Sequence, residues 1–176
     1  MSRAVLISIR PEWCQKIING RKTIEVRKTR PKMNPPFKCY IYKCGSGKAI
    51  GEFLCDDIFE RIVRVGTNCE PPKYCICDWN MTCIPLDTLL ADACLAKDEL
   101  EKYLDGGVGY GWHISNLKIY DHPRELNSFR RACKNDWWCE SCAMYSEHST
   151  TCGNAALQFN RQPQSWRYVE EELWND

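Results

Sequence analysis

Apolar and polar positions change in short blocks along the chain, and the blocks have strand rather than long-helix periods. Residues 4–9 are a β-branched apolar run bounded by Arg10-Pro11, which predicts a buried strand. Pro11 suits a first helical turn, and residues 12–19 place Trp13, Ile17 and Ile18 toward one helix face before Gly20 stops the turn. Residues 23–29 then alternate, with Ile24 and Val26 on one side and Glu25 and Arg27 on the other, the pattern of a half-buried strand.

Further on, residues 37–43 read as a strong strand and Gly45-Ser46-Gly47 as a turn. Residues 49–65 read as a long strand-like stretch broken near Asp56-Asp57, and 68–82 as irregular. Leu86, Leu89, Leu90, Ala93, Leu100, Tyr103 and Leu104 recur at helical spacing until Gly106-Gly107. Residues 110–119 and 165–170 complete a set of about six strands and two or three short helices. The expected fold is α+β, a small, partly open mixed barrel. It would comprise residues 1–126 and 161–176, interrupted at 127–160 by a polar, cysteine-rich insertion with little apolar periodicity.

Length and composition narrow this picture. A chain of 176 residues with 44% apolar and 27% charged positions can bury one domain core. No apolar run reaches membrane-spanning length, and residues 4–7 are too short for a secretion signal. The expected compartment is the cytoplasm, so the 13 cysteines are expected reduced, serving as core residues or metal ligands.

The net charge of +1 gives no global pull on polyanions. A local patch does exist, because Arg10, Lys16, Arg21, Lys22, Arg27, Lys28, Arg30 and Lys32 crowd the beginning of the chain. Lys22, Glu25 and Arg27 fall together on the strand after the glycine turn. Arginine binds phosphate in a fork, glutamate accepts from an exocyclic amine or activates water, and Trp13 offers a face for a base. Spacing alone also fits a surface ion pair worth little and a tryptophan that is simply core.

The string Ser8-Ile9-Arg10-Pro11-Glu12-Trp13, followed by Ile17-Ile18-Asn19-Gly20-Arg21-Lys22-Thr23-Ile24-Glu25-Val26-Arg27, resembles the signature of the ASCH domain, a family of PUA-like barrels. The stretch from Gly111 through Trp112 to Tyr120 resembles that family's penultimate core strand. Pro163 to Glu170 is similar to members encoded by phages and prophages of Gram-positive bacteria. The resemblance covers 3–66, 86–126 and 161–173, and does not account for 127–160.

The resemblance implies a cleft that takes RNA or a modified nucleoside or nucleotide. Lys22, Glu25 and Arg27 would face it, Arg10 would form its rim, and Tyr110 and Trp112 its opposite wall. Two hydrolytic activities occur among such proteins, amide hydrolysis of N4-acetylcytidine and RNA cleavage. In the amidohydrolases the motif lysine matches Lys22, and the nucleophilic threonine falls at the position of Glu25. Without that hydroxyl, acyl transfer lacks its attacking group. Recognition, or water activation by Glu25, is the expected role. A third reading is a phage-encoded factor that blocks a host protein through the insertion and its Trp137-Trp138 pair.

Within the insertion, Cys133, Cys139, Cys142 and Cys152 follow C-x5-C-x2-C-x9-C spacing, which suggests a structural zinc site with one close thiolate pair. The alternative is a loop of reduced thiols. Cys69, Cys75, Cys77 and Cys83 are a weaker set, because ligands two apart on a strand diverge. Cys14, Cys39, Cys44, Cys55 and Cys94 lie in apolar patterns and are expected to be structural. His113 is expected to be a satisfied structural histidine. Arg124, Arg130 and Arg131 offer either a phosphate track or a solvated face.

Overall fold

The computed structural model describes residues 3–65, 73–77, 83–133 and 154–171. Strand β1 (Arg3–Ile9) is buried at every position after Arg3, as its unbroken apolar run requires of a central strand. Helix α1 (Pro11–Ile18) begins with proline in its first turn and buries Cys14 and Ile17. Gly20, at φ +67°, turns the chain out of it. Trp13 is half-buried and Ile18 is 40% exposed, so the apolar face of this helix is narrower than the sequence suggests.

Strands β2 (Ile24–Arg27), β3 (Phe37–Lys43) and β4 (Lys48–Cys55) follow, and β4 alternates buried and half-buried residues along most of its length. The expected break at Asp56-Asp57 separates β4 from β5 (Ile58–Val65). Within the stretch expected to be irregular lies β6 (Lys73–Cys77), and β7 (Cys83–Ile84) follows it. The helical spacing of 86–104 resolves into α2 (Leu86–Ala93) and α3 (Lys97–Leu104). Cys94, at φ 54°, divides them in a left-handed conformation, and Glu99 accepts a hydrogen bond from the Ala96 amide at 2.8 Å to hold the start of α3. Strands β8 (Gly109–His113), β9 (Ser115–Glu125) and β10 (Trp166–Glu170) complete the set.

The described strands number ten rather than about six, because two long strand-like stretches bend and serve two sheets, and β6 and β7 form where no strand is expected. One sheet runs β10-β1-β3-β4-β9, and the other runs β2-β8-β5-β6-β7. Among the described strands only β1 and β3 pair in parallel; every other ladder is antiparallel. The passage from β4 to β5 and from β8 to β9 joins the sheets along one side, where the His113 amide donates to Asp57 O at 3.0 Å. On the other side, edge strands β2 and β10 share no main-chain ladder. The mixed α+β fold is thus a barrel left open at one seam.

The main core lies between the sheets around Ile7, Ile41, Phe53 and Trp112. A second core packs α2 and α3 against Ile24, Val26 and Ile62. A third covers the outer face of the first sheet, and here the expected insertion meets the fold. Phe129 and Phe159, from the two arms of 127–160, are buried against Tyr40 and Val169. Arg130 bridges to Gln158, and Arg131 to Val169. Cys139, Cys142, Cys152, Trp137 and Trp138 lie outside the described residues. Among the described residues no helix is long and apolar enough to cross a membrane.

Candidate functional site at the open seam

The seam is spanned by side chains instead of main-chain bonds. From β2, Arg27 Nη2 donates to Ser8 O at the end of β1 at 2.6 Å, and Nη1 lies 3.4 Å from Ser165 Oγ. Beyond β2, Thr29 Oγ1 accepts from Trp166 Nε1 at 3.0 Å. Above these contacts is a cleft of about 380 Å³. Its floor and walls come from Ser8 to Arg10, Trp13 of α1, Lys22, Glu25 to Arg27, Cys44, Leu95, Glu99 and Tyr103 of the α3 region, and Gln164 and Ser165.

Lys22 is only 3% exposed and is tied down completely. Its ammonium donates to Ile24 O and Ala93 O, each at 2.8 Å, and lies 3.2 Å from Glu25 Oε2. Three donors meet three acceptors. The contact at Ala93 sits at the C-terminal end of α2, a helix with no basic residue of its own in the last turn. Lys22 therefore places a cation where the helix dipole favours one. Main-chain bonds fix this approach, with Thr23 N donating to Asp92 O at 2.8 Å.

Glu25 is 7% exposed, and each carboxylate oxygen has a cation. Oε2 faces Lys22, and Oε1 is 2.9 Å from Arg27 Nη2. The sequence-predicted trio is thus a buried chain, Lys22–Glu25–Arg27, rather than a loose surface pair. Arg27 Nε is buried and has no acceptor, so the guanidinium keeps an unused donor. Burial pushes the Cys44 thiol up, with Arg27 and Arg10 opposing. Burial likewise raises the Tyr103 hydroxyl against the pull of Arg27.

Arg10 stands exposed at the rim as expected, and among the described residues no carboxylate pairs with it. Trp13 lines the cleft, but its ring already carries two cations, with Lys16 Nζ at 4.2 Å and Lys22 Nζ at 5.2 Å from the centroid. Tyr110 and Trp112 do not form the opposite wall. Trp112 lies directly across from Glu25 in the β2–β8 register and is fully buried, edge-on to Phe37 and Trp166. The face it shares with Glu25 turns into the intersheet core at that point, and Tyr110 packs against the same core.

The aromatic wall is supplied instead by Tyr103, 40% exposed, with Lys28 Nζ 5.5 Å from its ring centroid. Its place in the apolar helical repeat disguised it as core. Gln164 and Ser165 escaped notice because they arrive from the far end of the sequence. The signal that could have found them is the polar pair just before the apolar alternation of β10.

Cys133 is a free thiol. Among the described residues no three His, Cys, Asp or Glu side chains gather as a metal site. Cys14, Cys39 and Cys55 are buried, and burial pushes the thiols of Cys14 and Cys55 up to about 12. His113 Nδ1 sits 2.7 Å from Asp56 Oδ1 at the corner between the sheets, away from the cleft. Two of the three arginines considered as a phosphate track are engaged. Arg124 stacks 4.7 Å above Phe129, and Arg130 reaches Glu170 and Asn154 O.

Residues 7–70 match the family model of the ASCH domain. No curated protein matches the sequence at a significant level. Among solved structures, ASCH from Zymomonas mobilis is similar in fold, with TM-score 0.51 and 19% identity over 70% of this chain and 73% of that one. Two point variants of the same Zymomonas protein align equally, each at TM-score 0.50 and 19% identity over 70% of this chain, covering 76% and 74% of theirs.

Proposed function

With an ASCH domain match at residues 7–70 and an ASCH-type fold as the premise, we propose that this chain binds RNA, taking one base or modified nucleoside into the cleft at the open seam. The observation that carries this reading is the buried Lys22–Glu25–Arg27 chain, which forms a rigid polar wall in a cleft otherwise bounded by Tyr103 and Trp13. A wall of fixed donors and acceptors opposite an aromatic ring is suited to the edge and face of a base. Arg10 at the rim suits the adjoining phosphate.

The same geometry favours recognition over hydrolysis. An ammonium whose three donors are all used is not available as a base or nucleophile. A glutamate with a cation on each oxygen already has both oxygens engaged. Lys22 and Glu25 therefore act here as positioning groups, and Arg27 and Tyr103 as the groups that meet the ligand.

The test uses fluorescence anisotropy with a labelled random-sequence RNA decamer, alongside calorimetry with single nucleotides. The wild-type chain binds both. Arg10→Glu and Tyr103→Ala, which alter exposed side chains and leave the thermal unfolding transition in place, each weaken binding by about tenfold or more. Absence of RNA binding by the wild-type chain, or binding indifferent to both substitutions, overturns the reading.

A further inference from the structure

Beside the cleft lies a second cavity of about 310 Å³, on the outer face of β10. Arg131, Arg161 and Arg167 line it, and among the described residues no aspartate or glutamate does. All three arginines are exposed. Strand parity explains the grouping. Arg167 shares a face of β10 with Val169, and the bridge between Arg131 and Val169 brings the insertion's first arm to the same face. Among the described residues, the neighbouring carboxylates pair elsewhere, Glu170 with Arg130 and Glu171 with Lys38. Arg131 rests its guanidinium 5.3 Å from the Phe159 ring centroid, which orients it without neutralising it.

Three guanidinium groups held around one concavity repel each other, and an anion relieves that repulsion. Arginine forks match phosphate oxygens, so the chemistry of the cavity is that of a phosphate site. Its position supplies the rest of the argument. Gln164 lines both this cavity and the seam cleft, so the two adjoin through a single residue. The connecting segment is anchored, because Ser8 Oγ donates to Pro163 O at 2.6 Å and Ser8 N to Ser165 O at 2.9 Å. The spacing of the two cavities is thus fixed by the fold.

We propose that the Arg131–Arg161–Arg167 cavity holds backbone phosphates of a single-stranded polynucleotide whose base occupies the seam cleft. This rests on the cleft reading and sharpens it. The ligand is a strand that crosses Gln164, not a free nucleoside.

The test compares wild-type protein with the double variant Arg161→Gln/Arg167→Gln, using the RNA decamer and a single nucleotide as probes over a series of salt concentrations. Both substituted side chains are exposed, and Arg131 is left to keep its contact with Phe159. In the double variant, decamer affinity at low salt falls about tenfold. The slope of log affinity against log salt becomes shallower by roughly 1.4, the loss of two phosphate contacts on a single strand. Single-nucleotide affinity stays unchanged. An unchanged decamer affinity and salt slope overturns the track and leaves the cleft reading standing, with these arginines assigned to another anion such as an acidic protein surface. A wild-type chain that binds neither probe overturns both.

Discussion

Arg27 donates to the main-chain oxygen of Ser8 at 2.6 Å, across the open seam between β2 and the first sheet. The same guanidinium holds Glu25 at 2.9 Å, so a single side chain closes the barrel and braces the cleft wall. Both contacts come from Nη2, while Nη1 lies 3.4 Å from Ser165 Oγ; lysine keeps the charge, but its single nitrogen cannot reproduce this planar two-nitrogen arrangement. Arg27→Lys is expected to cost about 1–3 kcal/mol of stability and to weaken RNA binding together with it. Urea denaturation measured in parallel with anisotropy checks both effects. A variant that loses binding at full stability would separate the two roles.

Lys22 and Glu25 form a coupled buried pair. Lys22→Met leaves the Glu25 carboxylate with one cation and the carbonyls of Ile24 and Ala93 without a donor, a loss of about 3–5 kcal/mol. Glu25→Gln keeps an acceptor and is expected to cost less. In the double variant Lys22→Met/Glu25→Gln the losses fall short of their sum, because the second change removes the charge that the first had left with one cation. A double-mutant cycle by chemical denaturation measures the coupling. Strict additivity would mean that the 3.2 Å contact carries no energy.

Replacing Tyr103 with alanine removes the exposed ring of the cleft. Loss of one stacked base corresponds to about 1–3 kcal/mol of binding energy, with little change in folding. Trp112→Phe is the contrasting case. It leaves a void beside Phe37 and Trp166 and is expected to lower stability by about 1–3 kcal/mol while residual folded protein still binds. Titrating both variants with the RNA decamer, alongside thermal unfolding, distinguishes the ligand-facing aromatic from the core one.

Alkaline stability should report the buried thiols. Cys14 and Cys55 have their titration raised by burial from the ordinary 9.0 to about 12. The unfolded chain ionises them first. Their contribution is therefore fully present below pH 9 and is lost as the pH climbs toward 12. Stability is expected to fall through that window, and Cys14→Ala/Cys55→Ala should flatten the fall. Alkylation at pH 8 with peptide mapping gives a second reading, with Cys14, Cys39 and Cys55 protected in the folded chain and Cys133 modified.

Local period made much of the fold legible in the sequence. The strand at 24–27, the bounds of Phe37–Lys43 and the break at Asp56-Asp57 all appear in the structure, although β2 buries Ile24, Glu25 and Val26 alike instead of being half-buried. Parity also grouped Glu25 with Arg27. Local period cannot say where along a shared face the cleft gives way to the core, and Trp112, directly across from Glu25, lies fully buried in that core. Nor could it give the burial of Lys22, because the acceptor that stabilises its ammonium is the end of a helix about 70 residues further on. Tyr103 shows the converse limit. Its helical spacing matches that of its buried neighbours Leu100 and Leu104, yet it faces the cleft.

The pairing of Arg3 with Glu170 across the first sheet sets the order in which this protein can be assembled. The bond from Ser8 to Pro163 spans 155 residues, and closing so long a loop carries an entropic cost that local contacts cannot offset early. The central strand β1 therefore waits for β10, far downstream in the chain, to acquire its second neighbour. Gln164 and Ser165 join the cleft at the same step. On the ribosome, the nascent chain carries a buried-type strand with one flank unpaired until β10 emerges. The complete cleft forms only once β10 has joined, so a partly made copy lacks it.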